Sequence, residues 1–338
     1  PQCARSQNLR IESSDGSISL MTPKVQLTRG QHFLFGYVPT EAPRSRFEPL
    51  RKRQADSEQW FVQYGRSVRL PMSFRLECLE AAREIAAHAG PLPITVLFSG
   101  GMDSEVALRS FVEAGVPVRA AILRFKDDFN LHDYSWAILA CENLGVEYRI
   151  YDLDLLAFWN DAAVEYAERT QCISPQLLPT MWLADQVEGF PVLGSGENYL
   201  VRKNESWVLL EKERIASWYR HFLFQNRPAC PGFFQWSPEL MLAWLVDPLA
   251  IDLWKNRRPL EDDSKIVKVR IYQQHFNVLP RSKYTGFEKV QHAEPAIRER
   301  LSKRFANSDQ IFETPIPALL AALSPFPADF PSPNLIGL

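Results

Sequence analysis

Apolar spacing along the chain changes character near residue 73. Before it, turn residues dominate, and one strand pair is predicted at 25–27 and 33–38, joined by Thr28-Arg29-Gly30-Gln31. From Ser73 onward the pattern is regular. Ser73 suits a helix N-cap, Leu76, Leu79, Ile85 and Ala86 form an apolar stripe, and Gly90 follows Ala89 as a stop. Residues 94–98 form a short apolar, β-branched run that reads as a buried strand, and a helical pattern closing at Gly115 begins almost at once. A strand at 118–125, a helix at 133–144 closed by Gly145, and a strand at 147–153 come next. Strands alternating with helices at this spacing predict an α/β fold with a doubly wound, mostly parallel sheet. Helices are predicted at 155–170 and 178–187, then a fourth strand at 191–194 and a hairpin formed by 199–202 and 207–210. The rest reads as helices at 215–224, 238–246, 264–275 and 295–305, with a proline-rich stretch, 315–338, expected to wrap the surface or to be mobile. The expected organisation is a small β-containing segment (1–72), a central α/β unit (73–290), and a C-terminal helix with its tail (291–338).

Bulk properties narrow the functional classes. With 338 residues, 46% of them hydrophobic, the chain can bury a substantial core. Its net charge of −2 offers no global field for nucleic acid or an anionic membrane. Arg44, Arg46, Arg51, Lys52 and Arg53 form a local basic cluster, read as a solvated loop in preference to a polyanion site. No apolar run approaches the ~20 residues that span a bilayer, and no signal peptide is read. The five cysteines, Cys3, Cys78, Cys141, Cys172 and Cys230, show no C-x-x-C and no histidine at ligand spacing. That excludes structural zinc and a dithiol sulfur relay as expectations, and it suits reduced thiols in a cytoplasmic protein. Trp236, Trp244 and Trp254 are expected to be core aromatics.

The chemistry lies in the turn after the first central strand, Ser99-Gly100-Gly101-Met102-Asp103-Ser104. Adjacent glycines allow positive φ and close backbone approach, and the following helix start offers free N–H groups to an anion. An ordinary β–α turn would also hold glycine and serine, but it would have no need of Asp103. A carboxylate beside an anion cradle is repulsive unless a divalent cation lies between, so the set points to a nucleotide with Mg²⁺. The loop is neither G-x-x-x-x-G-K-[ST] nor G-x-G-x-x-G. Nucleotides bind at the carboxyl ends of parallel strands, so Leu123, Arg124 and Phe125 should border the adenine. A second glycine loop, Gly194-Ser195-Gly196-Glu197-Asn198-Tyr199, reads either as a ligand contact or as a hairpin entrance.

S-G-G-M-D-S resembles the S-G-G-x-D-S pyrophosphate loop of the ATP pyrophosphatase (PP-loop) superfamily. Over about 93–288 the likeness within it is greatest to the synthetase domain of asparagine synthetase and β-lactam synthetase. Asp133-Tyr134-Ser135-Trp136-Ala137 with Leu144-Gly145-Val146-Glu147-Tyr148 resembles that family's acidic-Y-A helix and L-G-T-E-H, Val192 to Asn198 its V-L-S-G-E-G-A-D-E loop, and Leu279 to Phe287 its late L-P-x-x-x-x-x-K-x-G-F segment. The resemblance implies a Rossmann-like PP-loop fold and an ATP-dependent ligase. Such an enzyme adenylates a carboxylate, or an amide-type oxygen, for attack by an amine, releasing pyrophosphate and then AMP. It implies that Ser99, Gly100, Gly101 and Ser104 hold the pyrophosphate, Asp103 binds Mg²⁺, Gly194, Ser195, Gly196 and Glu197 line the nucleotide, and Lys283 reaches the α phosphate. Lys265 and Arg281 are weaker candidates. Asn198 and Tyr199 replace the family's paired acids, and no counterpart of its terminal-Cys glutaminase is seen. Partners are therefore expected to be small carboxylates and amines rather than nucleic acid or membrane. A nucleotide sensor without turnover, and an enzyme acting on a nucleobase or tRNA, are the rival expectations.

Overall fold

The computed structural model describes residues 25–40, 47–255, 264–305 and 309–325. The chain starts with strands β1 (Phe33–Pro39), β2 (Glu48–Pro49) and β3 (Glu58–Tyr64), an antiparallel sheet in the order β2-β1-β3. Residues 25–27 are not a strand: β2 and β3 occupy both edges of β1, leaving no partner for a further one. Helix α1 (Phe74–Ala89) starts as predicted, the Ser73 side chain accepting from the Leu76 N–H. Its buried face is set by Phe74, Cys78, Ala81, Ala82 and Ile85. Leu76 instead is exposed, because it lies roughly 200° around the helix from both Phe74 and Cys78.

The centre is the parallel sheet, built of β4 (Ile94–Leu97), β5 (Arg119–Phe125), β6 (Tyr148–Leu153) and β7 (Phe190–Leu193) in the order β6-β5-β4-β7. Between these strands run α2 (Met102–Glu113), α3 (Leu131–Leu144), α4 (Leu155–Asp161), α5 (Ala163–Thr170) and α6 (Leu178–Gln186). The predicted helix 155–170 is thus two, bent at Ala162 (φ −106°). Every residue of β4 and β7 is buried, as a sheet covered on both faces requires. Ile94, Val96, Ala120 and Ile122 face a core shared with α1, α2 and α3; Leu97, Ala121 and Leu193 face the other way. There they meet Leu183, Ala184, Tyr219, Phe222 and the β1/β3 aromatics Phe33, Phe35 and Trp60. The sheet therefore fixes the carboxyl ends of β4 and β7 side by side.

After β7 come the hairpin β8 (Leu200–Lys203) and β9 (Ser206–Lys212), then α7 (Ala216–Phe224), α8 (Pro238–Leu245), α9 (Pro248–Lys255), α10 (Ser264–Phe276), α11 (Glu294–Arg304), β10 (Ile311–Pro315) and α12 (Ile316–Leu323). Asn204 and Glu205 both take positive φ, the twist that matches a two-residue hairpin turn. Residues 311–325 do not wrap the surface: β10 pairs with β9, and α12 buries Ile316, Leu319, Leu320 and Leu323. Two prolines of that stretch sit at the helix start, where a missing N–H costs nothing. Its remainder, 326–338, lies outside the described residues.

Trp236 and Trp244 are buried and Trp254 is half-buried against the same core. Cys78, Cys141, Cys172 and Cys230 are buried free thiols, while Cys3 lies outside the described residues. Among the described residues no helix is long and apolar enough to cross a membrane.

Candidate active site

Just past β4, the Phe98 N–H extends the ladder to the Ala121 carbonyl at 2.8 Å. Gly100 then turns with φ +78°, and a Cβ there would lie 1.9 Å from the Asp133 carbonyl oxygen, so only glycine fits between this loop and α3. Gly101 is the N-cap of α2 and no side chain caps the helix, which leaves its first-turn amides open. Ser99 is exposed at the rim, with its hydroxyl 3.2 Å from that of Ser104, which donates to the Gly101 carbonyl at 2.9 Å. Ser99, Gly101 and Ser104 thus surround one helix N-terminus, in the strand–loop–helix setting that an anion cradle requires.

Arg281 holds this loop from behind. Its Nε and Nη2 donate to the Gly100 carbonyl at 2.9 and 2.7 Å, Nη2 pairs with Glu105 at 2.6 Å, and the guanidinium lies over the Trp136 ring. Because a peptide is planar and trans, fixing that carbonyl turns the Gly101 N–H to the opposite side, toward the Ser99 hydroxyl. Arg281 is thus spent on the protein and shapes the cradle rather than reaching into it.

The second loop comes from β7 and packs against the first. A Cβ on Gly194 would lie 2.5 Å from the Ser104 Cα. This contact brings Glu197 near Asp103, and both meet Lys268 from α10: its Nζ is 2.9 Å from Asp103 Oδ1 and 3.5 Å from Glu197 Oε1. One turn later on the same helix, the Tyr272 hydroxyl donates to Asp103 Oδ1 at 2.8 Å. Burial pushes the Glu197 carboxyl above the usual range, and the Asp103 charge adds to that. Burial alone would lower Lys268; the two carboxylates outweigh it and hold the ammonium above the ordinary lysine range.

Sequence reasoning missed both α10 residues. The available signal was their i, i+4 spacing, Lys268-Val269-Arg270-Ile271-Tyr272, which puts a cation and a hydroxyl on one helix face. Lys265, the lysine singled out instead, is exposed one turn earlier.

Other expected residues divide. Lys283 is exposed; among the described residues no hydrogen bond or ion pair ties it, and its charge is felt by Glu197 and Asp133. Asp133 is buried, accepts from the Tyr284 N–H at 3.1 Å, and is raised chiefly by burial. Ser195 is turned into the protein, donating to the Pro231 carbonyl at 2.5 Å. Gly196, at φ +83°, abuts Gln235, and Asn198 is buried with its amide donating to the Met241 carbonyl. Of the second loop's expected ligand residues, only Glu197 therefore directs a functional side chain into the site.

At the end of β5, Arg124 is paired with Asp152 at 2.5 Å beside a cleft of about 410 Å³ lined by Phe125, Asp127, Asp152 and Asp154. The Leu123 carbonyl and Phe125 N–H, free of the β4 ladder, are both taken by the Asn130 carboxamide at 2.8 Å. The basic cluster is also engaged internally: Arg51 pairs with Glu48 and Glu58, Arg53 with Asp56, and Lys52 donates to the Glu168 carbonyl. Arg44 and Arg46 lie outside the described residues.

No family model and no curated protein matches the chain. Among solved structures it is similar to NMN synthetase from Francisella tularensis, at 16% identity over 69% of this chain and 94% of that one, with a TM-score of 0.30. It is similar to a predicted subunit of tRNA methyltransferase from Methanocaldococcus jannaschii DSM, at 18% identity over 57% and 94%, TM-score 0.30. It is also similar to NH3-dependent NAD synthetase from Campylobacter jejuni subsp. jejuni NCTC 11168, at 13% identity over 70% and 95%, TM-score 0.31. These superpositions are loose, and what each protein makes or binds is said of that protein alone.

Proposed function

We propose that the chain is an ATP-dependent ligase of the asparagine synthetase-like PP-loop type, forming AMP and pyrophosphate. It adenylates a carboxylate, or an amide-type oxygen, for attack by an amine or ammonia. The observation that carries this reading is the uncapped helix start at Gly101, ringed by the Ser99 and Ser104 hydroxyls and flanked by the Asp103–Glu197 carboxylate pair.

In the reaction a substrate oxygen attacks the α phosphorus, and the bond to the bridging oxygen breaks. The electron pair leaves with pyrophosphate; the amine then displaces AMP and loses a proton. Negative charge grows on the departing group, so donors placed beforehand are what accelerate the step. The loop amides with Ser99 and Ser104 hold that group, Arg281 keeps the Gly100 peptide oriented, and Lys283 is the untied cation available to the α phosphate or the adenylate. Asp103 and Glu197 are oxygen donors of the kind magnesium takes. When bound with the nucleotide, the ion would be held by these two and would neutralise polyphosphate charge.

The test is to supply ATP, Mg²⁺ and panels of carboxylates and amines, and to separate the products. AMP and pyrophosphate are expected; ADP and phosphate would overturn the reading. A second reading, a nucleotide-binding module without turnover, is favoured by one observation: Lys268 already neutralises part of the carboxylate pair. ATP binding without AMP formation across the panels would select it. The internal pairing of Arg51, Lys52 and Arg53 weighs against the third, a nucleic-acid substrate.

A further inference from the structure

Asp103 and Glu197 have between them an ammonium, not a gap. Lys268 Nζ lies within 3.1 Å of both Asp103 oxygens and 3.5 Å from Glu197, and Tyr272 fixes the first carboxylate from the same helix. Lys268 is largely enclosed, with 17% of its side chain exposed, so water screens this contact poorly. The charges against the loop are the carboxylates of Asp103, Glu197, Glu105 and Asp133 and the cations of Lys268, Arg281 and the more distant Lys283. Arg281 offsets Glu105, and Lys268 lies directly on the Asp103 and Glu197 carboxylates, so little negative charge is left uncompensated there before any metal arrives. Among the described residues no third histidine, cysteine or carboxylate joins the pair to make a metal-binding group.

We infer that Lys268 is the resident cation of the nucleotide-free site. It occupies the place of a divalent ion between Asp103 and Glu197, so the protein excludes the bare metal and admits it only together with polyphosphate. A dication added alone would leave a net positive site with an ammonium at contact distance. Added with a nucleotide polyanion, it brings its own countercharge, and the phosphates offer Lys268 a new partner. A lysine suits such an exchange because its charge sits on a flexible four-carbon stem with three rotatable donors. The inference rests on the phosphate-site reading only for what draws Lys268 away; exclusion of the bare metal is a property of the free protein.

Manganese alone is the probe, its unbound fraction read by electron paramagnetic resonance. The parent is expected to bind no Mn²⁺ tighter than about millimolar. Lys268→Met, which keeps the stem and removes the charge, should gain one site at least 10-fold tighter, and Lys268→Met/Asp103→Asn should lose it again. Lys268→Arg should behave as the parent. A parent that binds one Mn²⁺ as tightly as Lys268→Met, or a folded Lys268→Met that gains no site, overturns the inference; so does Lys268→Arg binding like Lys268→Met. Near-ultraviolet circular dichroism reports folding. If Lys268→Met does not fold, the parent is compared with Asp103→Asn: equal, weak binding is expected, and binding that Asp103→Asn abolishes overturns it. None of these measurements uses nucleotide, so they stand or fall apart from AMP formation.

Discussion

The loops after β4 and β7 leave adjacent parallel strands in register, Leu97 beside Leu193, and pack so closely that Gly194 sits against Ser104. In the first, the helix start is uncapped and the Ser99 hydroxyl lies at the rim, while Arg281 grips the Gly100 carbonyl. In the second, Ser195 and Asn198 are tied to the carbonyls of Pro231 and Met241, and Gly196 leans on Gln235. Gln235 is itself held by Tyr219 and Glu211. Glycine content alone would rank the two loops alike. Where their polar groups are satisfied separates them: the first keeps donors in reserve, the second has spent its own and delivers a single carboxylate.

Several substitutions would sharpen or break that contrast. The largest effect is expected from Lys283→Ala, which should cut turnover about 100-fold or more while ATP binding changes little, as for any contact made mainly in the transition state; single-turnover AMP formation and calorimetry together check it. Gly100→Ala comes next. It forces a Cβ into the Asp133 carbonyl at positive φ, and should lower unfolding free energy by more than about 2 kcal/mol, read by urea denaturation. Ser195→Ala and Ser99→Ala test the comparison directly. The first loses a buried hydrogen bond and should cost about 1–2 kcal/mol of stability; the second should leave the melt nearly unchanged and weaken ATP binding more than the first does. Equal effects on ATP from the two serines would break the contrast.

A pH-dependent effect concerns the network behind the second loop. Burial pushes Glu211 up to about 8, against the opposing hydrogen bonds from Tyr64 and Gln235. The folded protein therefore keeps a proton that the unfolded chain has lost between pH of about 4.5 and about 8. Stability should fall as pH rises through that window and level off above it. Glu211→Gln should flatten this part of the profile and be the more stable protein at pH 8, by on the order of a few kcal/mol at most. Melting curves of both proteins across pH 4 to 9 check the sign.

Most of the central sheet was legible because its signals are local. Ser73, Gly90, Gly115 and Gly145 punctuate helices through their own backbone geometry, and Ile94 to Leu97 is buried on both faces. The Ser99 to Ser104 loop was legible for the same reason. What escaped depends on distant partners. Nothing near Val25 reveals that both edges of β1 are already taken. The prolines at 315 and 317 read as chain breakers until β9 supplies an edge and α8 a surface for the helix they begin. Beyond its spacing from Tyr272, Lys268 carries no local signal that sets it apart; only the approach of α10 to α2 makes it the counter-ion of Asp103. In sequence Arg281 is a weaker candidate, no better supported than a surface charge, and its use on Gly100 and Glu105 is visible only in three dimensions.

Strand β10 has a consequence in time. It pairs with β9 from about a hundred residues downstream, and α12, which follows at once, sends a carbonyl from Leu323 to the N–H of Ser67. A ribosome adding about 5–20 residues each second leaves the β8–β9 hairpin waiting several seconds for that closing strand. During the wait β9 is an open edge carrying Trp207, Val208 and Leu209, the sort of strand another nascent chain can pair with. The period in which β9 is most open to misassembly is therefore the stretch of synthesis between its own emergence and that of β10.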